Sequence, residues 1–271
     1  MTFTTLASNK NPAAPPPLKP GRAARQLRRF WAWLFWLLLW ELGSRLIAPE
    51  LRFLVASPTQ VLRRLIVLGS QASFWWTAGR TLLRISLGFM LGAVTAILLA
   101  VLSFHFNWVR EWLAPLLLFI KSTPVASIII LILILLPSRY LAIFIAFLMV
   151  LPILYSALYQ GLEQTDSQLL ELAQVFELPW TRRLKGIYLP EILPYFKSAA
   201  ASALGLAWKA GVAGEVIGIP QGSIGEQLYN AKINLSTPDL FAWTLVVICL
   251  SLLGERLFMK ALNSLQRQIS R

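Results

Sequence analysis

The chain has 271 residues, of which 57% are hydrophobic and only 14% are charged. This composition excludes an ordinary soluble domain and predicts an integral membrane protein in contact with lipid. A span needs about 20 mostly apolar residues, so the chain has room for six spans with short loops. The formal net charge of +13 would suggest a nucleic-acid partner in a soluble protein. In a membrane protein, basic residues instead collect at the cytoplasmic ends of the spans, and we expect no nucleic-acid partner.

The sequence offers neither a metal site nor a nucleotide-hydrolysis motif. The single cysteine, Cys249, lies in an apolar run, and the single histidine, His105, has no cysteine or second histidine as a co-ligand. No Gly-x4-Gly-Lys-Ser/Thr phosphate-binding loop occurs, so ATP hydrolysis by this chain is not expected. We therefore predict no catalytic residue, no metal and no cofactor.

The chain begins with a polar, basic stretch followed by the first apolar run. Residues 1–29 are rich in Pro, Ala and Arg and predict a disordered cytoplasmic tail with a basic anchor at the membrane surface. The run at 30–48 is long and lacks a small-residue cleavage site, so it is predicted as a span rather than a signal peptide. Inside it, Glu41 and Arg45 are four residues apart and are expected to pair on one helical face. A contact of these charges with substrate is the alternative.

The next two elements are a surface helix and a tightly packing span. Ser57 and Pro58 form a helix start, because Ser can cap a helix and Pro suits its first position. The apolar side of the following residues favours a helix lying on the outer surface. The second span covers 79–103 and contains Gly88 and Gly92, a GxxxG pattern that permits close helix packing without naming the partner.

The third and fourth spans are predicted at 111–136 and 139–161. Pro124 interrupts the third, because proline removes a backbone hydrogen bond and bends a helix. Two interpretations of Lys121, which lies just before the break, stay open. Its side chain either snorkels to the inner surface or faces a path between the spans.

The fifth span, 190–218, is rich in Ala and Gly, which indicates a helix packed on nearly all sides. It carries Lys209 and Glu215, and a charge at the centre of a span costs roughly 2.5–3.5 kcal/mol, so each needs a partner or water. Six residues apart, the two point to different faces and would pair poorly with each other. One or both line a wet pathway, or they pair with other groups inside the protein. The sixth span covers 239–262.

The stretch between the fourth and fifth spans, 162–189, must lie in water. Its central part holds five charged residues, which are Glu171, Glu177, Arg182, Arg183 and Lys185. This stretch resembles the cytoplasmic coupling loop of ABC-importer permeases, whose pattern is Glu-Ala-Ala, then Gly after three residues, then Ile-x-Leu-Pro after nine more. Five residues fall at the family spacing: Glu171, Ala173, Ile187, Leu189 and Pro190.

The loop departs from the family pattern at two positions. Leu172 replaces the first Ala, and Glu177 stands where the family has Gly. Glycine would allow a sharp turn through positive φ, which Glu adopts only at a cost. We therefore expect Leu178-Pro179 to make the turn instead.

The resemblance implies an all-α, polytopic membrane protein with six transmembrane helices and the type I importer permease fold. The implied partners are a second permease copy, most simply in a homodimer, two copies of an ATPase subunit and an external solute-binding protein. The loop would form a coupling helix in a groove of the ATPase through nine residues: Glu171, Ala173, Val175, Phe176, Glu177, Leu178, Trp180, Arg182 and Arg183. The alternatives are packing of the apolar members within the loop, burial of Trp180 at the lipid surface, and a loop that merely links two spans.

Among these permeases the chain is most similar to the nitrate, sulfonate and taurine group. The similarity rests on Ser57-Pro58, on 121–126, on 207–209 with 213–215, and on 222–225. It implies a path for a small organic or inorganic anion, with four candidate path residues: Lys121, Pro124, Lys209 and Glu215. An aromatic vitamin precursor is the alternative substrate. An ion-coupled secondary transporter and a membrane scaffold without transport are the alternative classes.

The distribution of basic residues predicts the orientation. With six spans and the 162–189 loop in the cytoplasm, both termini are cytoplasmic. Most basic residues outside the spans then lie on the inner side of a bacterial plasma membrane, as the positive-inside rule requires.

Overall fold

A computed structural model describes residues 22–47 and 54–269 of the chain. Within these residues the regular elements are eleven α-helices and one π-helical turn. The helices are α1 (Arg22–Leu46), α2 (Pro58–Gly69), α3 (Ala72–His105), α4 (Asn107–Ser122), α5 (Val125–Leu135), α6 (Ser138–Glu163), α7 (Ser167–Val175), α8 (Trp180–Arg183), α9 (Leu189–Gly218), α10 (Ile224–Ile233) and α11 (Thr237–Ile269).

Among the described residues, three helices are both long and apolar enough to cross a membrane: Ala72–His105, Ser138–Glu163 and Thr237–Ser264. Helices α4 and α5 make a fourth crossing if they count as one broken span, bent by 108°. The break lies at Thr123 and Pro124, the latter capping α5, so the predicted interruption at Pro124 is confirmed. Helices α1 and α9, which are 25 and 30 residues long, lie at the predicted first and fifth spans and also carry charged side chains. Helix thus lies at each predicted span.

The first helix begins earlier than the sequence pattern suggested. The predicted tail at 1–29 lies outside the described residues as far as residue 21, but α1 starts at Arg22. Pro20 is the last proline before α1, and residues 22–27 are Arg, Ala, Gln and Leu, which favour helix. The prediction of disorder was therefore wrong for residues 22–29.

The centre of the bundle is α6, which packs against α3 on one side and α9 on the other. The GxxxG glycines of α3 face α6: a Cβ on Gly88 would lie 2.3 Å from the carbonyl oxygen of Ile143. One on Gly92 would lie 2.9 Å from the Cβ of Val150. The partner that the motif left open is therefore α6 of the same chain, at a distance that only glycine allows.

The bundle has two distinct ends. Helix α6 ends where 162–189 begins, and α9 starts where that loop stops, so we call this side the loop end. At the opposite end, α2 begins with a capping box of Ser57 and Gln60, as the sequence predicted for its start. It packs against the first turns of α11, where Arg64 pairs with Asp239.

Candidate functional site

The first half of the 162–189 loop is a capped helix, α7. The side chain of Asp166 accepts a hydrogen bond from the backbone nitrogen of Gln168 at 2.8 Å and thereby starts the helix. Ala173 is the one α7 residue that is buried, with 1% exposure, whereas Glu171 faces solvent. Ala173 therefore lies on the inner face of α7. Glu171 lies on its exposed face, where a partner could contact it.

The turn after α7 is made by Glu177 itself. Its φ is +48°, in the left-handed region, so the expectation that Leu178-Pro179 would make the turn was wrong. The nitrogen of Leu178 donates to the oxygen of Ala173 at 2.9 Å, and that of Glu177 donates to the oxygen of Gln174 at 3.0 Å. This pair of bonds is a Schellman motif, which fixes a left-handed residue just past the helix end. The loop keeps the glycine geometry of the family without the glycine.

Pro179 has a different role, because it precedes the first residue of α8. From Trp180 the helical backbone continues through a π-helical turn, Leu184–Tyr188, directly into α9. Pro190 lies at the start of α9 and has no N–H to donate, which favours an irregular turn at this point. The second half of the loop is therefore the beginning of the helix that forms the fifth span.

Of the six large apolar side chains that are exposed on the loop, three have the largest exposed fractions. Val175, Phe176 and Trp180 are 78%, 69% and 57% exposed, and we call them the docking face. Of the other predicted coupling residues, Leu178 and Arg183 are half-buried, and Arg183 donates through Nε to the oxygen of Leu178 at 2.8 Å. Arg182 is exposed. The ring of Trp180 also contacts the ring of Tyr188, at 5.7 Å between ring centres. Packing within the loop therefore covers part of Trp180, whereas Val175 and Phe176 stay largely exposed.

Lys121 lies at the end of α4, immediately before the break at Pro124. Its Nζ donates to Oγ of Ser156 at 2.9 Å, and that hydroxyl donates to the oxygen of Pro152 at 2.8 Å. Both Lys121 and Ser156 are exposed on the surface of the described chain. The ammonium is therefore held against the half of α6 that approaches the loop end.

Lys209 lies on an exposed stripe along α9. The exposed residues of this helix recur at helical spacing on one face, beyond its first turn: Pro194, Ser198, Ser202, Lys209 and Ile217. Its other faces are mostly buried or half-buried. Lys209 forms no hydrogen bond or ion pair with any residue that the structure describes. Because an unpaired ammonium is costly in lipid, this stripe is expected to face water or a polar partner.

Glu215 is fully buried and joins three helices. Its carboxylate accepts from Oγ1 of Thr81 at 2.8 Å, from Nη1 of Arg84 at 3.3 Å and from the nitrogen of Gly225 at 3.3 Å. The Thr81 hydroxyl also accepts from the nitrogen of Ile224 at 3.0 Å. Glu215 therefore holds the start of α10 against α3 and α9, and its partner is Arg84, not Lys209. Its role in a path stays a prediction.

The residues around Glu215 were not identified from the sequence as a site. Arg84 lies 131 positions away in the chain, and no local pattern links the two. A signal was nevertheless present, because Arg80 and Arg84 are four residues apart at the start of a span and share a helical face. Gly225 lies in the 222–225 stretch on which the family similarity rests, and the structure gives a reason for glycine there: a Cβ would lie 2.3 Å from the Cβ of Glu215.

Among the described residues, an all-helical bundle with several helices long and apolar enough to cross a membrane defines a multi-pass membrane protein. Residues 88–267 match the family described as binding-protein-dependent transport system inner membrane component. This match covers more than half of the chain, so the chain belongs to that family. The predicted resemblance to ABC-importer permeases is confirmed.

Curated relatives agree with this assignment at low identity. The formylaminopyrimidine transport permease protein ThiX of Halalkalibacterium halodurans is 29% identical over 237 residues, which cover 86% of this chain and 93% of that protein. The putative aliphatic sulfonates transport permease protein SsuC of Bacillus subtilis is 26% identical over 165 residues, 60% of this chain and 59% of that one. The bicarbonate transport system permease protein CmpB of Synechococcus elongatus is 24% identical over 232 residues, 82% and 83% of the two chains.

Family membership settles the general function. The chain is a permease subunit of an ABC importer, has the type I importer permease fold, and is a multi-pass inner-membrane protein. Subunits of this family are not themselves enzymes, and they work with an ATPase and a solute-binding protein. This membership supports the importer over the two alternative classes, an ion-coupled secondary transporter and a scaffold without transport.

Proposed function

We propose that this subunit forms the translocation path for a small anion and is driven through the docking face by an ATPase partner. The observation on which the proposal rests is the exposure of Val175, Phe176 and Trp180 at a polar end of the bundle. Apolar side chains of this size on a water-exposed loop are typical of a surface that a partner covers. Glu171, exposed on the preceding helix, would add a charged contact at its edge.

The same geometry provides a route for movement. Trp180 begins the helical run that continues into α9, and α9 bears Lys209 on its exposed stripe. A displacement of the docking face on ATP binding would therefore move α9 directly rather than through a flexible linker. Rocking of α9 against its neighbours would alternate access to the path, to which Lys121, Pro124, Lys209 and Glu215 would contribute.

The proposed assembly contains two permease copies, most simply identical, and two ATPase subunits. The loop end would face the cytoplasm, with both chain termini on the same side of a bacterial plasma membrane. The opposite end, including residues 219–238, would receive the solute-binding protein. Support for this orientation comes from the basic residues, which are more frequent on the proposed inner side.

The substrate class is proposed from charge and from relatives. Two ammonium groups lie on spans: Lys209 has no partner among the described residues, and Lys121 forms one hydrogen bond. Their positive charge favours an anion as the substrate. The printed names of SsuC and CmpB refer to sulfonates and bicarbonate, which are anions, whereas that of ThiX refers to a formylaminopyrimidine. A vitamin precursor is therefore the second candidate.

Co-purification of the ATPase encoded with this subunit tests the proposal. Trp180→Ala and Glu171→Ala are each expected to reduce ATPase capture in mild detergent by about tenfold or more, because they remove contacts at the centre and edge of the docking face. Trp75→Ala and Glu111→Ala are the matched controls, since both side chains are exposed outside the 162–189 loop. These controls should capture the ATPase as the wild type does.

Two results would count against the proposal. One is equal loss of capture in Trp75→Ala and Trp180→Ala, which would indicate a general effect of removing tryptophan. The other is a failure of the wild type to capture the ATPase with or without ATP.

A further inference from the structure

A basic cavity lies at the end of the bundle opposite the docking face. It has a volume of about 520 Å³ and is formed where α3 and α6 begin and α9 ends. Its lining includes Arg80, Arg84, Ser138, Arg139, Pro220 and Gln221. Cavities of this size hold small organic ligands.

The positive charge of the cavity is only partly neutralised. Arg84 donates to the buried carboxylate of Glu215 at 3.3 Å and to the oxygen of Gln221 at 3.5 Å. Neither Arg80 nor Arg139 forms an ion pair within the described part of the chain. The three guanidinium groups are therefore balanced by a single carboxylate, that of Glu215. This carboxylate is buried and does not line the cavity.

The two unpaired guanidinium groups are held by aromatic rings. That of Arg80 lies over Trp76 at 5.0 Å from the ring centre, and that of Arg139 lies over Tyr140 at 4.7 Å. Arg80 is further confined by Gly222, where a Cβ would approach its Nη1 to 2.4 Å. Stacking on a ring positions the plane of a guanidinium but leaves its N–H groups free for an oxyanion, which arginine binds in a bidentate manner.

We propose that this cavity binds the oxyanion group of the solute, a carboxylate, sulfonate or bicarbonate, at the outer mouth of the path. The cavity is open to solvent, and its volume of about 520 Å³ accommodates a small solute. The inference rests on the proposed function, since it assigns a substrate class to the same importer. It concerns residues that are separate from Lys121 and Lys209, and it places selection for negative charge at the opposite end of the bundle from ATPase docking.

The test is equilibrium binding to the complete permease–ATPase complex in nanodiscs of phosphatidylcholine, at constant ionic strength. The probes are methanesulfonate, acetate and bicarbonate, with dimethyl sulfone as the neutral analogue of methanesulfonate. At least one anion should bind, and dimethyl sulfone should bind about tenfold or more weakly than methanesulfonate if the sulfonate is that anion. Arg80→Gln and Arg139→Gln should each raise the Kd of the bound anion by about tenfold or more.

Arg63→Gln is the matched control, because it removes the same charge from an exposed site on α2 at the same end. It should change the anion Kd by less than about twofold. Absence of binding by all three anions would overturn the inference, as would equal weakening by Arg63→Gln. An unchanged Kd in both Arg80→Gln and Arg139→Gln would also overturn it.

Two further arms separate the sources of an anionic ligand. If phosphatidylglycerol in the nanodisc abolishes anion binding to the wild type, the cavity is a lipid headgroup site and the inference fails. If the two variants keep the anion Kd but lose capture of the solute-binding protein, the arginines bind that protein and the inference also fails. ATPase capture distinguishes this from the proposed function, since it should be intact in Arg80→Gln and Arg139→Gln and lost only in the docking-face variants.

Discussion

Glu177 occupies a backbone conformation that its side chain disfavours, with φ at +48°. A left-handed conformation costs a residue with a Cβ roughly 1–2 kcal/mol. The turn persists because the two Schellman hydrogen bonds close the end of α7. The Glu177 side chain is exposed and contributes little to this closure. The strain therefore belongs to the backbone, and a glycine would remove it.

Glu177→Gly is expected to stabilise the subunit by about 1 kcal/mol and to preserve ATPase capture, since glycine adopts positive φ without a Cβ clash. Gln174→Gly is the matched control, because residue 174 lies within α7, where glycine costs about 1 kcal/mol. Thermal unfolding of the purified complex, followed by tryptophan fluorescence, should show opposite shifts in Tm. A fall in Tm for both variants would contradict this account of the turn.

Sequence reasoning succeeded at the residue scale where the evidence was local. It located the loop, placed Ala173 at the family position, and separated Lys209 and Glu215 onto different faces of one helix. It failed at Glu177, because glutamate disfavours positive φ, whereas the hydrogen bonds at the end of α7 require it. It did not identify Arg84 as the partner of Glu215, because that contact depends on how α3 packs against α9.

At the scale of elements, the contact between α3 and α6 depends on Gly88. Gly88→Ala would bring a Cβ to within 2.3 Å of the carbonyl oxygen of Ile143, so the helices must move apart. We expect a loss of about 1–3 kcal/mol, as for other overpacked interiors. Gly79→Ala in the same helix is the control, because a Cβ there has no neighbour within 4 Å. Equal Tm values for the two variants would show that α3 and α6 are not in close contact.

The break between α4 and α5 shows how far an element can be predicted. Pro124 marked its position, because proline cannot donate the hydrogen bond that a continuous helix needs. The bend of 108° was not predictable, since it depends on what each half packs against. Ile120 of α4 and Ile129 of α5 are both buried in the same apolar cluster as Ile145 of α6. Tertiary packing, absent from any local pattern, therefore sets the angle.

The exposed stripe of α9 predicts water access along that helix. In a Cys249→Ser background, which removes the chain's single cysteine, Lys209→Cys and Ser202→Cys should react rapidly with a membrane-impermeant thiol reagent. Leu98→Cys is the control, because Leu98 is 59% exposed on the apolar surface of α3 and should lie in lipid. Labelling is measured by mass spectrometry on the complex in nanodiscs. Reaction at 202 and 209 no faster than at 98 would remove the stripe from the path.

At the scale of the whole molecule, the two ends of the bundle have different chemistry. The loop end presents the three exposed apolar side chains of the docking face, of which Trp180 begins the helical run into α9, and the opposite end presents arginines around a cavity. Glu215, Thr81 and Arg84 connect that cavity to the far part of α9. The helical run from Trp180 to the end of α9 therefore connects the proposed ATPase-docking end to the proposed anion cavity. Such a connection would couple ATP binding to import.

Site-specific photocrosslinking tests this central claim most directly. A benzophenone amino acid at Phe176, which is 69% exposed on the docking face, should form a covalent product with the ATPase subunit in membranes. The same group at Trp75, which is 65% exposed at the opposite end, should not. An ATPase product from 176 alone is the predicted result. No ATPase product from 176, or equal products from both positions, would contradict the assignment of the 162–189 loop as the coupling element.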